Sequence, residues 1–492
     1  MSSFPLKGNF QRNRISFIIP DIPSRKGRGY PGEVQVIHLF ALISPLSRRG
    51  RRGVSFQWSS PMPKHDPMDR ASAFLKKNLE TMPPKKRAEY LNRRLRGIIQ
   101  HAYKHSIAVR NKFDSAGLKP EDIQTVKDLE KIPITKKTEL MELQKKNPPF
   151  GGFEGVPITE LRRIYVSPGP IHEPGESAYD ELGWAQGMVA AGFRPGDIAI
   201  NTFSYHMVPF ALQMLDNSLH QIGCVTVPSG VGNTEQQVNI LKALKANAYC
   251  GTASFLLNIA EKAEEMGLDL RKDLNLKVGC VATEMLPESL RSRLEEKFGM
   301  TIRQGYGTAD IGCLGYECLK KNGMHVPEDK IVEIVDPNTG KQVGPGKAGE
   351  IVATTFNKVY PLIRLGTGDL SILTETSCPC GRTSPRLLKI LGRVDQSTKV
   401  RGLFIHPGQA DEVVSKHPKI SRYQVVLTRK EHKDEMTFQV ELKEEVSQPE
   451  KLKSEIEQSI RDVMKVRGNV QFVPNGAIPE GAKKIEDRRT WE

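Results

Sequence analysis

The sequence predicts an α/β fold, with a large N-terminal domain on a mostly parallel sheet and a small α+β domain at the C-terminus. Three observations carry this reading. Between residues 160 and 310 short apolar runs alternate with helical stretches. After residue 326 the texture turns to hairpins, with turn residues at Pro337-Asn338-Thr339-Gly340 and Gly344-Pro345-Gly346. The end of the chain sets two alternating strands, "YQVVLTR" and "MTFQVELK", before the helix "PEKLKSEIEQSIRDVMK".

The elements follow in order. In "LNRRLRGIIQHAYKHSIAVRNKF", Leu91, Leu95, Ile98, Ile99, Ala102 and Tyr103 share one helical face. A turn, a short helix and an N-capped helix starting near Thr135 come next. "DIAINTF", "CVTVPS", "AYCGT", "LKVGCVA" and "TIRQGYG" read as buried strands. "EQQVNILKALKAN", "SFLLNIAEKAEEMG" and "PESLRSRLEEKFG" read as the helices between them, which makes parallel crossovers.

The 492 residues, 38% hydrophobic and 26% charged, suffice for two domains of an ordinary globular protein. No apolar run is long enough to span a bilayer; "VIHLFALISPL" is short and broken by Pro45, so no membrane partner is expected. The net charge of +15 is uneven. Residues 1–60 hold ten Lys/Arg against two acids, more than half of the excess. Residues 1–67 therefore read as a disordered basic extension, and the charge does not call for a nucleic-acid partner. The seven cysteines, odd in number and irregularly spaced, suit a reducing cytoplasm, with any cluster a metal site.

"YVSPGPIHEPGES" begins as the end of a strand and continues as a Gly/Pro-rich turn, the setting in which backbone N–H groups approach phosphate. "ATEMLP", "QGYGTADIG", "PLIRLGTGDL", "CPCGRTSPRLLKILGRVDQSTKVRGLFIHPGQ" and "IPEGAKKIEDRR" follow in that order. Together, over residues 70–489, they resemble the adenylate-forming acyl-CoA ligases, and within them the phenylacetate–CoA ligase branch. The resemblance implies the adenylate-forming fold, with residues 68–394 as the ATP- and acyl-binding domain and 395–492 as a mobile domain. It implies a cytoplasmic ligase that activates an aromatic, phenylacetate-like acid with ATP and Mg²⁺ as acyl-AMP, then transfers it to CoA. It also suggests a homodimer.

Site residues are carried over one by one. Ser167 and Gly169 match the phosphate loop; Pro168, Pro170, Ile171 and His172 depart from it, and Glu173 stands where the family has lysine. On this reading Glu173 puts negative charge where the family puts a cation, unless it faces solvent or pairs with an arginine, and the loop holds pyrophosphate less strongly or uses other cations such as Arg162 or Arg163. Ala282, Thr283 and Glu284 match the segment beside adenine. Tyr306 matches the residue stacking on adenine, within the Gly307 turn. Thr308 matches the hydroxyl on the α-phosphate, and Asp310 the magnesium ligand. Asp369 matches the carboxylate on the ribose hydroxyls. Arg393 lies near ribose and phosphates, Asp395 at the hinge, and Arg401 and Gly402 in the CoA-side loop. Lys483, rather than Lys484, matches the adenylation lysine. By position, Tyr205, His206, Met207 and Phe210 line the acyl pocket.

Cys318, His325, Cys378 and Cys380 form a three-thiolate, one-imidazole set suited to structural zinc, with Cys313 as a competing ligand. The branch often carries such a cluster. The altered phosphate loop keeps two other readings in play: a degenerate, non-catalytic adenylate-binding protein, and an adenylating enzyme that loads a carrier-protein thiol.

Overall fold

The alternation of apolar runs and helices produces the parallel half of the sheet. Strands Ile198–Asn201, Val225–Val227, Ala248–Gly251, Val278–Val281 and Thr301–Thr308 pair in parallel, with Ile198–Asn201 between the second and third. Helices Thr234–Leu244, Ala253–Glu265 and Glu288–Phe298 make the crossovers. Every residue of Ala248–Gly251 and Val278–Val281 is buried, because helices cover both faces; hence these strands read as continuous apolar runs.

The structure, a computed structural model, describes Arg70 and residues 73–490 other than 168, 176–182, 338, 395–397, 402 and 406. All of these lie in one compact unit, His65–Glu492. The basic extension expected over residues 1–67, the hinge Asp395 and the loop residue Gly402 fall outside the described residues.

At Thr308 the chain turns back at once into Gly312–Glu317, a connection too short for a parallel crossover. Met324–His325, Arg386–Arg393, Leu365–Thr374, Ala348–Thr355 and Lys330–Val335 then extend the same sheet in antiparallel fashion. The sheet is therefore mixed. Its parallel character holds for residues 198–308, and the hairpins seen in the sequence add to that sheet rather than forming another layer.

The amphipathic helix Pro84–His105 buries Leu95, Ile98, Ile99 and Ala102. It ends at Ser106, whose hydroxyl donates to the Gly152 carbonyl (2.8 Å) and accepts from Val109 N–H (3.3 Å). That cap starts the next helix, Ile107–Ser115. A later helix, Lys137–Lys146, packs against the strand Ile171–Gly175, so its first residue reaches the site.

A separate hydrophobic core lies wholly within residues 400–485. Four strands, in the order Asn469–Phe472, Lys433–Leu442, Ile420–Lys430 and Ile485–Asp487, form its sheet. Helix Pro449–Met464 covers it through Leu452, Ile456, Ile460 and Met464, one residue per turn.

Candidate active site

In open α/β sheets, ligands bind beyond the C-terminal ends of the parallel strands. Thr202 and Phe203, Thr252, Ala282–Glu284 and Thr308–Asp310 follow four such strands and line one cavity of about 1720 Å³. Arg401, Lys433, Asp434, Lys465 and Lys484 of the C-terminal part line it from across. A second cavity of about 1070 Å³ shares Thr283, Glu284, Gly307, Arg393 and Asp434 with the first, and adds Tyr306, Asp369 and Lys483.

Asp369 and Arg393 are cross-strand partners, and Arg393 Nη1 donates to Asp369 Oδ1 at 3.0 Å. Tyr306 Oη donates to the other oxygen at 2.7 Å. Burial, then the Asp369 charge, pushes the Tyr306 phenol well above its ordinary range. Gly368, at φ +75°, leaves room for the guanidinium: a Cβ there would come within 2.7 Å of Arg393 Nη2. At Gly307 a Cβ would meet the Gly312 carbonyl oxygen at 2.3 Å, so the tight return after the parallel strands requires glycine.

Ala282 is buried, and Thr283 has the left-handed φ of 70°. Glu284 turns toward Ser254, accepting from its N–H at 2.6 Å and its hydroxyl at 2.9 Å. Burial raises the Glu284 carboxyl above its usual range, and the Ser254 bonds oppose that. Thr308 lines the first cavity, and its Oγ1 accepts from Ile311 N–H at 3.3 Å.

The stretch that opened the phosphate-loop question is a hairpin. Arg163–Ser167 pairs antiparallel with Ile171–Gly175, and Gly169 turns at φ +131°. Gln144 clamps it through His172, accepting from its N–H at 2.8 Å and donating to its carbonyl at 2.9 Å. Ser167, Gly169 and Ile171 line the first cavity.

Two expectations fail here. Arg162 and Arg163 are exposed and line neither cavity. Glu173 neither faces solvent nor pairs with arginine; it is 3% exposed and turned inward with Ser167. Burial, then the Asp310 charge, raises its carboxyl well above the ordinary value. The cation at this wall is Lys137, whose Nζ lies 2.6 Å from Asp310 Oδ2. Sequence reading missed it, because it arrives from a separate helix; the only signal was a lysine pair at a helix start.

Lys483 lines the second cavity with Asp369 and Arg393, and its carbonyl accepts from Gln424 Nε2 at 3.0 Å. Lys484 pairs with Asp411 at 2.7 Å and lines the first cavity. Arg401 reaches the Asp434 carbonyl through Nε (3.2 Å) and Nη2 (3.1 Å).

At one end of the first cavity Phe210 packs edge-on to Trp184 (centroids 5.0 Å apart) and to Phe203 (4.7 Å). His206 and Met207 also line the first cavity. Tyr205 instead donates to Asp216 Oδ1 at 2.9 Å and does not line the cavity.

Ligand atoms of Cys318, His325, Cys378 and Cys380, none of which lines either cavity, lie within 4.8 Å of one another; Cys313 is not among them. Cys318 Sγ is 3.8 Å from Cys378 Sγ, and Cys380 Sγ is 3.4 Å from His325 Nε2. Zinc–sulfur bonds of about 2.3 Å at tetrahedral angles place sulfurs about 3.8 Å apart, whereas a disulfide needs about 2.05 Å. The donor set and its spacing fit zinc. Ser384 Oγ stands 3.4 Å from His325 Nδ1, the ring nitrogen left over.

Residues 185–357 match the AMP-binding enzyme family, and residues 402–489 match the AMP-binding enzyme C-terminal domain. The phenylacetate–coenzyme A ligase of Thermus thermophilus is 31% identical over 82% of this chain and 97% of its own length. That of Escherichia coli is 30% identical over 86% of this chain and 96% of its own length. A solved 2-hydroxyisobutyryl-CoA ligase, with 2-HIB-AMP and CoA in the thioester-forming state, superposes with a TM-score of 0.77. It is 27% identical and covers 87% of this chain, with 95% of its own chain matched. The same enzyme in its post-adenylation state, with 2-HIB-AMP, superposes at 0.64, with 27% identity, 87% of this chain and 94% of its own. Among the described residues no helix is long and apolar enough to cross a membrane. With 97% of one curated relative's length matched at 31% identity, the chain belongs to the phenylacetate–coenzyme A ligase family of AMP-binding enzymes and is an AMP-forming acid–CoA ligase.

Proposed function

We propose that the acid is aromatic, of the arylacetate type, and that it enters the end of the first cavity formed by Trp184, Phe203 and Phe210. The observation that carries this is the edge-to-face aromatic cluster lining the same cavity as Thr308 and Asp310. Such rings accept another aromatic edge-on, worth about 0.5–1.5 kcal/mol per pair beyond area burial.

The ribose hydroxyls of ATP donate to Asp369, which Arg393 and Tyr306 hold in place. The acid's carboxylate attacks the α-phosphorus in line with departing pyrophosphate. Thr308 donates to an α-phosphate oxygen, while Lys137 and the hairpin donors face the phosphates. A magnesium ion, when bound at Asp310, supplies charge neutralisation of the phosphates. Lys483 serves adenylation from the rotating small domain. The thiol of CoA then displaces AMP, with Arg401 along its approach. The better superposition on the thioester-forming state supports this arrangement for the second step.

The Cys318–His325–Cys378–Cys380 cluster holds a structural zinc, since four protein ligands leave no open position. Seven cysteines, none in a disulfide and three of them in this cluster, support a reducing compartment, the cytoplasm. A panel of aromatic and aliphatic acids, followed by pyrophosphate release, tests the substrate class. Arylacetates are expected to give the highest kcat/KM; a preference for short aliphatic acids would overturn the aromatic assignment.

A further inference from the structure

Asn201 ends the strand Ile198–Asn201 and is wholly buried, at 0% exposure. A buried amide needs partners on both its oxygen and its nitrogen, and those partners decide which way it points. Its Oδ1 accepts from the Phe203 N–H at 3.2 Å. Its Nδ2 donates to the Ala211 carbonyl at 3.3 Å and to Asp216 Oδ1 at 3.0 Å. Ala211 and Asp216 belong to a π-helical turn, Phe210–Asp216, which runs on into the helix Asn217–Ile222. Such turns are rare and recur at functional sites. Here a second asparagine supports the turn, Asn217 Nδ2 donating to the Gln213 carbonyl at 2.8 Å.

One amide therefore ties together two segments of the cavity wall. The first carries Phe203 and the second begins at Phe210, the two rings that meet edge-on with centroids 4.7 Å apart. Trp184 meets Phe210 from its other contact, at 5.0 Å. Apolar attraction has no direction, so ring contacts alone leave the spacing of the wall open; hydrogen bonds are directional and fix it. Asn201 lines neither cavity, so it can act on a bound acid only through the rings it holds. We propose that Asn201 is a positioning residue for acid selectivity, pinning Phe203 and the π turn of Phe210 so that the space between the rings fits an aryl group. The proposal rests on the reading above that the acid enters this end of the first cavity.

The test compares pyrophosphate release with phenylacetate and with isobutyrate, in the unmodified full chain and in Asn201→Ala. The ratio of the two kcat/KM values should fall by about tenfold or more in the variant, since a small misfit in an apolar pocket costs that much. The KM for phenylacetate should rise while the KM for ATP stays unchanged, a split that a general loss of stability does not produce. Asn201→Asp keeps the acceptor for Phe203 and loses the donor to Ala211 and Asp216, so it should lower the ratio as well. Should Asn201→Ala not fold, Asp216→Ala, at a half-buried position, removes the shorter Nδ2 bond and is read the same way. A folded variant with an unchanged ratio, whatever its Tm, overturns the proposal. An unmodified enzyme that prefers isobutyrate would sink the aromatic reading; a ratio that still shifts in Asn201→Ala would leave the positioning role standing.

Discussion

Asp369 sits directly across the sheet from Arg393, and the guanidinium reaches one carboxylate oxygen while Tyr306 takes the other. The carboxylate is thus oriented before any nucleotide arrives. Each hydrogen bond to a charged group is worth about 1.5–3 kcal/mol, so losing two ribose contacts should lower kcat/KM for ATP by roughly a hundredfold or more. Asp369→Ala should therefore lose pyrophosphate release while its circular dichroism stays that of the unmodified protein. Tyr306→Phe removes one orienting bond to that same charged carboxylate and should raise the KM for ATP by about tenfold, short of the Asp369→Ala loss.

Lys137 reaches Asp310 and the wall proposed to face the phosphates from the helix that clamps the hairpin. Lys137→Ala should slow acyl-AMP formation by about 10²-fold or more, the usual loss when one charge-stabilising donor is removed. Lys137→Arg, which keeps the charge, should recover part of it. The CoA step, started from synthetic acyl-AMP, should change far less; equal loss in both half-reactions would contradict a role confined to the phosphates.

The thiolate cluster predicts one tightly bound zinc per chain by elemental analysis. Structural zinc contributes on the order of 10 kcal/mol in small zinc domains, so even a fraction of that is visible in a melt. Cys378→Ser and Cys380→Ser should each lower the Tm by several degrees. Cys313→Ser should leave the zinc content unchanged, because that thiol lies outside the cluster.

Lys483 and Lys484 occupy different cavities, and this separates their expected behaviour. Lys483→Ala should abolish adenylation and spare thioester formation from acyl-AMP. Lys484→Ala breaks an exposed pair with Asp411, each side chain about half exposed, and should cost under about 1 kcal/mol. The reverse pattern would reassign the adenylation lysine.

Much of this was legible in the sequence, for local reasons. The parallel strands show as short apolar runs, most clearly Ala248–Gly251 and Val278–Val281, whose every residue is buried. Asp369, Thr308 and Asp310 stand out because each sits in a short glycine-containing motif, "GTGD" or "GYGTAD". The proposed zinc ligands are visible as residue types, but only the fold decides between Cys313 and the other three thiols. What the sequence hid depends on contacts between distant segments. Lys137 meets Asp310 from 173 positions away, so no spacing rule finds it. Trp184 and Phe203 lie in no recognisable motif, and only the fold brings them onto the wall of the first cavity. Glu173 misled because a charge in a Gly/Pro-rich turn is ordinarily solvated, whereas the turn folds as a hairpin and buries it. Tyr205 follows a cavity residue in sequence yet is drawn aside by Asp216.

The most direct test is a stoichiometry. The purified full chain, supplied with phenylacetate, ATP, Mg²⁺ and CoA, should yield AMP, pyrophosphate and phenylacetyl-CoA in equal amounts. Without CoA, an enzyme-bound phenylacetyl-AMP should be trapped, and Asp369→Ala should form none. ADP as the nucleotide product, or thioester formed by Asp369→Ala at the unmodified rate, would contradict an acyl-adenylate made at this site.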